Sequence, residues 1–138
     1  MKTASPIRLT QPPSPLFLAL LAVAGQFVGL YSPGSPDPLI LPIPGADKIV
    51  HVVLFAVPVA LLRWAGVRLR VVLPLALAQV VVSEVVQARW IPYRAGELAD
   101  ALADLVGIGL GVLGGWWLGR DQRPAEPTPR VGQRSSRS

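Results

Sequence analysis

Four apolar runs, separated by short polar or proline-rich segments, constrain the fold of this chain more than any other feature. They cover about residues 14–31, 47–65, 71–88 and 98–118. Each has about the 17–25 residues that a membrane-crossing helix needs. Only 15% of the residues are charged, against roughly 25% in a typical soluble domain. A chain of 138 residues has too little interior to bury this much apolar sequence in water. The sequence therefore predicts an all-α, integral membrane four-helix bundle.

The segments outside the runs are predicted to be tails. Residues 1–15 are polar and contain four prolines, and residues 119–138 are basic, so both are expected to be disordered around a domain at 16–118. A competing interpretation makes the first run a cleaved signal peptide, with the small residues Ala22-Val-Ala24 as the cleavage site. It is less favoured because the apolar run continues past Ala24, but the alternative stays open.

The distribution of basic residues predicts the orientation of the bundle. Two lie in the N-terminal tail, three around the turn after the second run and five in the C-terminal tail. The other side has only Lys48, Arg89 and Arg94. The positive-inside rule then places both termini in the cytoplasm of a multi-pass cell-membrane protein, with the lipid bilayer as its surroundings. The net charge of +5 lies largely in the tail, which does not indicate a nucleic-acid partner.

Charged side chains within membrane-crossing runs are costly and mark candidate functional sites. Asp47, Lys48 and His51 begin the second run, with Asp47 as the expected N-cap. Their spacing of three and four residues lets them share a helix face. Glu84 and Gln87 have the same relationship near the end of the third run. The predicted topology puts both groups on the extracytoplasmic side.

The fourth run begins with Asp100 and Asp104, which are four residues apart. Beside them runs a stripe of small residues at every fourth position: Ala99, Ala103, Gly107, Gly111 and Gly115. Small residues at this spacing let helices approach closely. The two acids are therefore expected to point into the bundle and not toward lipid.

These residues form the predicted ligand-binding set: Asp47, Lys48, His51, Glu84, Gln87, Arg94, Asp100 and Asp104. Histidine and carboxylates are plausible metal ligands, but one histidine without HxxxH or HExxH spacing leads us to expect no metal. No cofactor is expected either, because the sequence has no phosphate-binding glycine loop and no cysteine. Each charge also has a purely structural interpretation, as an ion pair between helices.

The order of these motifs resembles the VanZ-like family of small bacterial membrane proteins over about residues 16–118. The residues that carry the resemblance are Asp47-Lys48-x-x-His51-x-x-x-Phe55, Ser83-Glu84-x-x-Gln87, Arg94 and Asp100-x-x-x-Asp104-x-x-Gly107-x-x-x-Gly111. The chain departs from that pattern at Asp104, where the family usually has asparagine. The resemblance implies a setting in the cell envelope, and the name-giving member is associated with resistance to the glycopeptide antibiotic teicoplanin.

Three functions follow as hypotheses. The favoured one is an envelope protein whose outward polar cluster binds a lipid head group, a cell-wall precursor or a glycopeptide. The second is an enzyme acting on a lipid-linked or cell-wall substrate, with His51 as acid–base and Glu84 or Asp100 as its partner or as a metal ligand. The third is a structural or partner-binding subunit whose charges hold helices together. A small transporter is a residual alternative, and it requires a homo-oligomer because four spans form a transport path only as an oligomer.

Overall fold

A computed structural model describes residues 13–34, 45–94 and 96–120. It contains four α-helices: α1 (Pro15–Tyr31), α2 (Ala46–Trp64), α3 (Leu69–Trp90) and α4 (Leu98–Arg120). The described residues include no strand, so the prediction of an all-α chain with four helices is confirmed for them. The predicted tails lie almost wholly outside the described residues.

The helix ends have local causes. At α1 the Ser14 hydroxyl accepts a 3.2 Å hydrogen bond from the Phe17 amide, and Pro15 occupies the first turn, where its missing N–H costs nothing. At α2 the N-cap is Gly45, whose φ of 82° suits glycine. Asp47 lies in the first turn instead, so the prediction that it is the N-cap was wrong. Its carboxylate still faces the positive end of the helix dipole.

Helix α2 is central to the packing: it lies against α4 along much of its length and also contacts α1 and α3. The buried stripe Ala103, Gly107, Gly111 and Gly115 forms the α4 side of the main contact. A side chain at Gly111 would put its Cβ 2.6 Å from the Ala56 carbonyl oxygen, so the contact is made between backbones. The predicted role of the stripe in close helix packing is confirmed, except that Ala99 at its start is exposed.

The segment between α3 and α4 is held against the end of α1. The Gly34 amide donates to the Pro92 carbonyl oxygen over 3.0 Å, and Tyr93 adopts a φ of 59°, which is rare for a residue with a side chain. A Cβ at Gly96 would lie 2.5 Å from the Glu84 carbonyl oxygen, so only glycine fits there. As a result, the C-terminal ends of α1 and α3 and the N-terminal ends of α2 and α4 lie at the same end of the bundle.

Many large apolar side chains remain exposed around the bundle. The buried core is small and consists of Leu30, Phe55, Val59, Val72, Val80 and Ile108. Exposed side chains that are more than half accessible include Leu20, Val28, Leu75, Val81, Val106 and Leu113. Two of the described helices, Leu69–Trp90 and Leu98–Arg120, are long and apolar enough to cross a membrane. The apolar helix Pro15–Tyr31 is shorter, and α2 carries charges in its first and last turns.

Candidate functional site

The predicted site residues lie together at the end of the bundle where α2 and α4 begin. His51, on the second turn of α2, reaches Asp104, on the second turn of α4. Its Nδ1 lies 2.9 Å from Asp104 Oδ1. His51 is 3% exposed and Asp104 is fully buried. The close approach of α2 and α4 along the glycine stripe makes this short contact possible, because both side chains project from neighbouring backbones.

A second cluster of charges lies closer to the helix ends and centres on Lys48. Its ammonium nitrogen is 2.5 Å from Asp47 Oδ2, 2.9 Å from Asp100 Oδ1 and 3.4 Å from Glu97 Oε2. Lys48 therefore connects the first turn of α2 to the first turn of α4 and to the residue before it. With three carboxylates around one ammonium, Lys48 is already committed within the protein.

Asp100 lies between the Lys48 cluster and the buried His51–Asp104 pair. Its Oδ2 is 4.0 Å from His51 Nε2, while its Oδ1 pairs with Lys48. Asp100 is 7% exposed, so both acids of α4 point into the bundle, as their position beside the small-residue stripe predicts. His51 thus has one carboxylate near each ring nitrogen.

Glu84 on α3 lies beside the His51–Asp104 pair, and these three residues form the inner cluster. Glu84 is half-buried, and one ligand atom from each of His51, Glu84 and Asp104 lies within 4.8 Å of the others. Glu84 Oε1 and Asp104 Oδ2 are buried and accept no hydrogen bond from any described residue. Three helices thus bring two carboxylates and one imidazole into one small cluster.

Gln87 and Arg94 have structural partners at this end. Gln87 Nε2 donates to the Leu30 carbonyl oxygen and Arg94 Nη2 donates to the Gly29 carbonyl oxygen, each over 3.0 Å. These carbonyls belong to the last turn of α1, where no further helical amide is available to them. The two side chains, predicted as ligand-binding, therefore also cap α1 and attach it to α3 and the following turn. Arg89, the other arginine of this region, is exposed.

A cavity of about 370 Å³ opens at this end. Its polar lining comes from three helices and the α3–α4 segment. The lining residues are Gly34, Asp47, Val50, His51, Gln87, Tyr93, Arg94, Glu97 and Asp100. Five of the eight predicted ligand-binding residues are among them, while Glu84 and Asp104 lie in the inner cluster and Lys48 lies beside its paired acids.

Two features of the site were missed by the sequence analysis. Glu97, which pairs with Lys48 and lines the cavity, was not among the candidates, although its place three residues before Asp100 was a usable signal. Asp104 was expected to face the bundle, but not to be the residue bonded to His51. That pairing depends on the axial offset of α4 against α2, which residue spacing within one helix does not contain.

The arrangement can perform two kinds of chemistry. The cavity offers carboxylates and a guanidinium to a polar ligand, and the inner cluster offers an imidazole with a fixed carboxylate partner. Comparison of the chain with models of known protein families, with curated proteins and with solved structures found no significant match.

Proposed function

We propose that this chain is an integral membrane protein that crosses the cell membrane four times and binds a polar envelope ligand in the cavity at its extracytoplasmic end. Support for a membrane location comes from the exposed apolar side chains on every helix, which water would solvate poorly. The described arginines at the opposite end of the bundle agree with a cytoplasmic location for that end: Arg63, Arg68, Arg70 and Arg120.

The orientation has a direct test. Reporter fusions after residue 66 should report the cytoplasm, and fusions after residue 95 should report the extracytoplasmic side. Fusions at the two termini should both report the cytoplasm. The opposite result at residue 95 would contradict the proposed position of the cavity.

The observation that carries the ligand proposal is the charge balance of the cavity. Its lining includes Asp47, Glu97 and Asp100, with Arg94 as the lining cation. Lys48 already neutralises part of the acidic charge, and Arg94 donates to a backbone carbonyl. A ligand with an ammonium group complements the carboxylates, and the other Arg94 nitrogens suit a phosphate or carboxylate on the same ligand. Zwitterionic lipid head groups and amine-bearing cell-wall precursors or glycopeptides have this pattern.

The resemblance to VanZ-like proteins supports the choice of envelope ligands and extends the proposal to glycopeptide resistance. In cells, expression of the chain should raise the teicoplanin concentration needed to stop growth. An Asp100→Asn variant at equal abundance should lose that protection.

Binding can be measured on the full chain in a neutral detergent. We expect saturable thermal stabilisation by phosphatidylethanolamine, an amine-bearing precursor or teicoplanin, and less by phosphatidylglycerol, which lacks the amine. Asp100→Asn should weaken the effect, whereas Arg89→Gln, outside the cavity lining, should keep it. Equal stabilisation by both lipids in all three proteins would contradict a specific amine site.

The second candidate function is acid–base catalysis on a lipid-linked or cell-wall substrate. The specific observation is the 2.9 Å contact between His51 Nδ1 and Asp104 Oδ1. A carboxylate that accepts from Nδ1–H leaves Nε2 as the basic nitrogen and orients the ring. Conversion of a labelled envelope precursor by the purified protein, lost in His51→Ala, would favour this function. Binding without conversion would favour the first.

A further inference from the structure

The inner cluster has a composition that the proposed binding function does not use. His51, Glu84 and Asp104 come from three different helices, and one ligand atom of each lies within 4.8 Å of the other two. His51 and Asp104 are almost completely buried. The sequence has no metal-binding motif at these positions because the three residues are brought together only by helix packing.

The charges of this cluster are incompletely compensated by the residues that the structure describes. Glu84 Oε1 and Asp104 Oδ2 are buried without a hydrogen-bond partner among them. Lys48 pairs with Asp47, Glu97 and Asp100. It therefore does not neutralise Glu84 or Asp104. A buried carboxylate requires a proton, a cation or hydrogen-bond donors. One imidazole shared between two carboxylates supplies only part of this.

We propose that His51, Glu84 and Asp104 bind one divalent transition-metal ion. One nitrogen and two carboxylate ligands suit Zn²⁺ or Mn²⁺, whereas Mg²⁺ and Ca²⁺ prefer oxygen ligands throughout. Zn²⁺ binds such ligands at about 2.0–2.2 Å, so small side-chain movements within the 4.8 Å group bring all three to one ion. The ion replaces protons that the three groups would otherwise hold, and neutralises both carboxylates.

Three protein ligands leave a coordination position for water or for part of a ligand. His51 belongs both to this site and to the cavity lining, so the metal site adjoins the cavity. The inference is nevertheless independent of the proposed function, because metal binding requires neither the membrane orientation nor an envelope ligand. If the proposed function is wrong, the metal site is unaffected, and the reverse also holds.

The chain makes this proposal easy to test because it has one histidine and no cysteine. The full chain, carrying an affinity tag without histidine or cysteine, is purified in detergent and stripped with a chelator. Zn²⁺ and Mn²⁺ binding is then measured by calorimetry and elemental analysis. We expect about one ion per chain. Cu²⁺ substituted at the site should show coupling to one imidazole nitrogen in its electron paramagnetic resonance spectrum, which identifies His51.

Matched variants locate the ion. Glu84→Gln and Asp104→Asn should each weaken binding by at least about ten-fold, because each replaces a charged ligand by a neutral amide, and even the loss of a hydrogen-bond partner behind a ligand costs about 10–100-fold. His51→Ala should remove the nitrogen coupling. Asp47→Asn, which removes an acid outside the cluster, should bind as the wild type does.

Each variant is compared only if it elutes as a single species and unfolds cooperatively. Wild-type protein that binds no stoichiometric Zn²⁺ or Mn²⁺ would overturn the proposal even if every variant failed to fold. Binding that survives in Glu84→Gln and Asp104→Asn but is lost in Asp47→Asn would also overturn it, since the ion would then belong to the outer charges.

Discussion

His51 on α2 and Asp104 on α4 lie 53 positions apart in the chain, yet their side chains meet at 2.9 Å in the interior of the bundle. The two helices approach closely because glycines replace side chains along the α4 side of their contact. The same packing thus produces both the stability of the α2–α4 pair and the buried polar cluster. A substitution that disturbs the α2–α4 packing should therefore also disturb the polar cluster, and a substitution in the polar cluster should also affect the stability of the α2–α4 pair.

Replacing Asp104 tests the energetic role of its contact with His51. Asp104→Leu leaves the buried Nδ1–H of His51 without an acceptor and should lower the free energy of unfolding by about 2–3 kcal/mol. Asp104→Asn keeps an oxygen that accepts from Nδ1–H, so its cost should be nearer about 1 kcal/mol. Unfolding in detergent followed by circular dichroism measures both. Equal costs for the two variants would show that charge, and not the hydrogen bond, stabilises this position.

Gly111 and Gly109 form a matched pair on α4. A Cβ at Gly111 would lie 2.6 Å from the Ala56 carbonyl oxygen, so Gly111→Ala should destabilise by about 1–3 kcal/mol through forced separation of α2 and α4. Gly109 has nothing within 4 Å of that position, and Gly109→Ala should be neutral or stabilise by up to about 1 kcal/mol. Thermal unfolding of both variants in the same detergent measures this difference in stability. A destabilising Gly109→Ala would contradict the packing described here.

Gln87 should act mainly through the end of α1. Its amide donates to the Leu30 carbonyl oxygen in a buried position, so Gln87→Leu should cost about 1–3 kcal/mol by leaving that oxygen unsatisfied. Hydrogen exchange should rise first in the last turn of α1. Arg89→Gln, an exposed change one half-turn further along α3, should leave both stability and exchange unchanged. Uniform exchange across the bundle in Gln87→Leu would exclude a local role.

Lys48 and Asp100 should be energetically coupled. Lys48→Met leaves Asp100 beside Asp47 and Glu97 without their shared ammonium, so the unfolding midpoint should fall. Removing one of the acids, as in Lys48→Met with Asp100→Asn, should recover part of the loss, because the repulsion between carboxylates decreases. The four proteins form a double-mutant cycle. Strict additivity of the two single changes would show that this ion pair contributes no net stability.

The sequence determined the four helices and the buried face of α4. Four apolar runs, interrupted by proline, glycine and charge, contain enough information to predict four helices close to their observed bounds, because these residues mark where helices begin and end. The spacing of Asp100, Asp104 and Gly107 likewise determined which face of α4 is buried, because residues three and four apart share a helix face. The predicted N-cap of α2 was wrong because Gly45, two residues before Asp47, adopts a left-handed conformation and takes the N-cap position.

Only the tertiary structure decided which polar residues touch. The pairing of His51 with Asp104, the use of Lys48 by three acids, and the capping of α1 by Gln87 and Arg94 all depend on how far one helix is shifted along another. That shift is set by contacts between backbones at the glycine stripe and between α1 and the α3–α4 segment. A periodic sequence describes a helix face but not the axial register of two such faces, because several registers bury similar apolar area and differ in which charged groups they bring together.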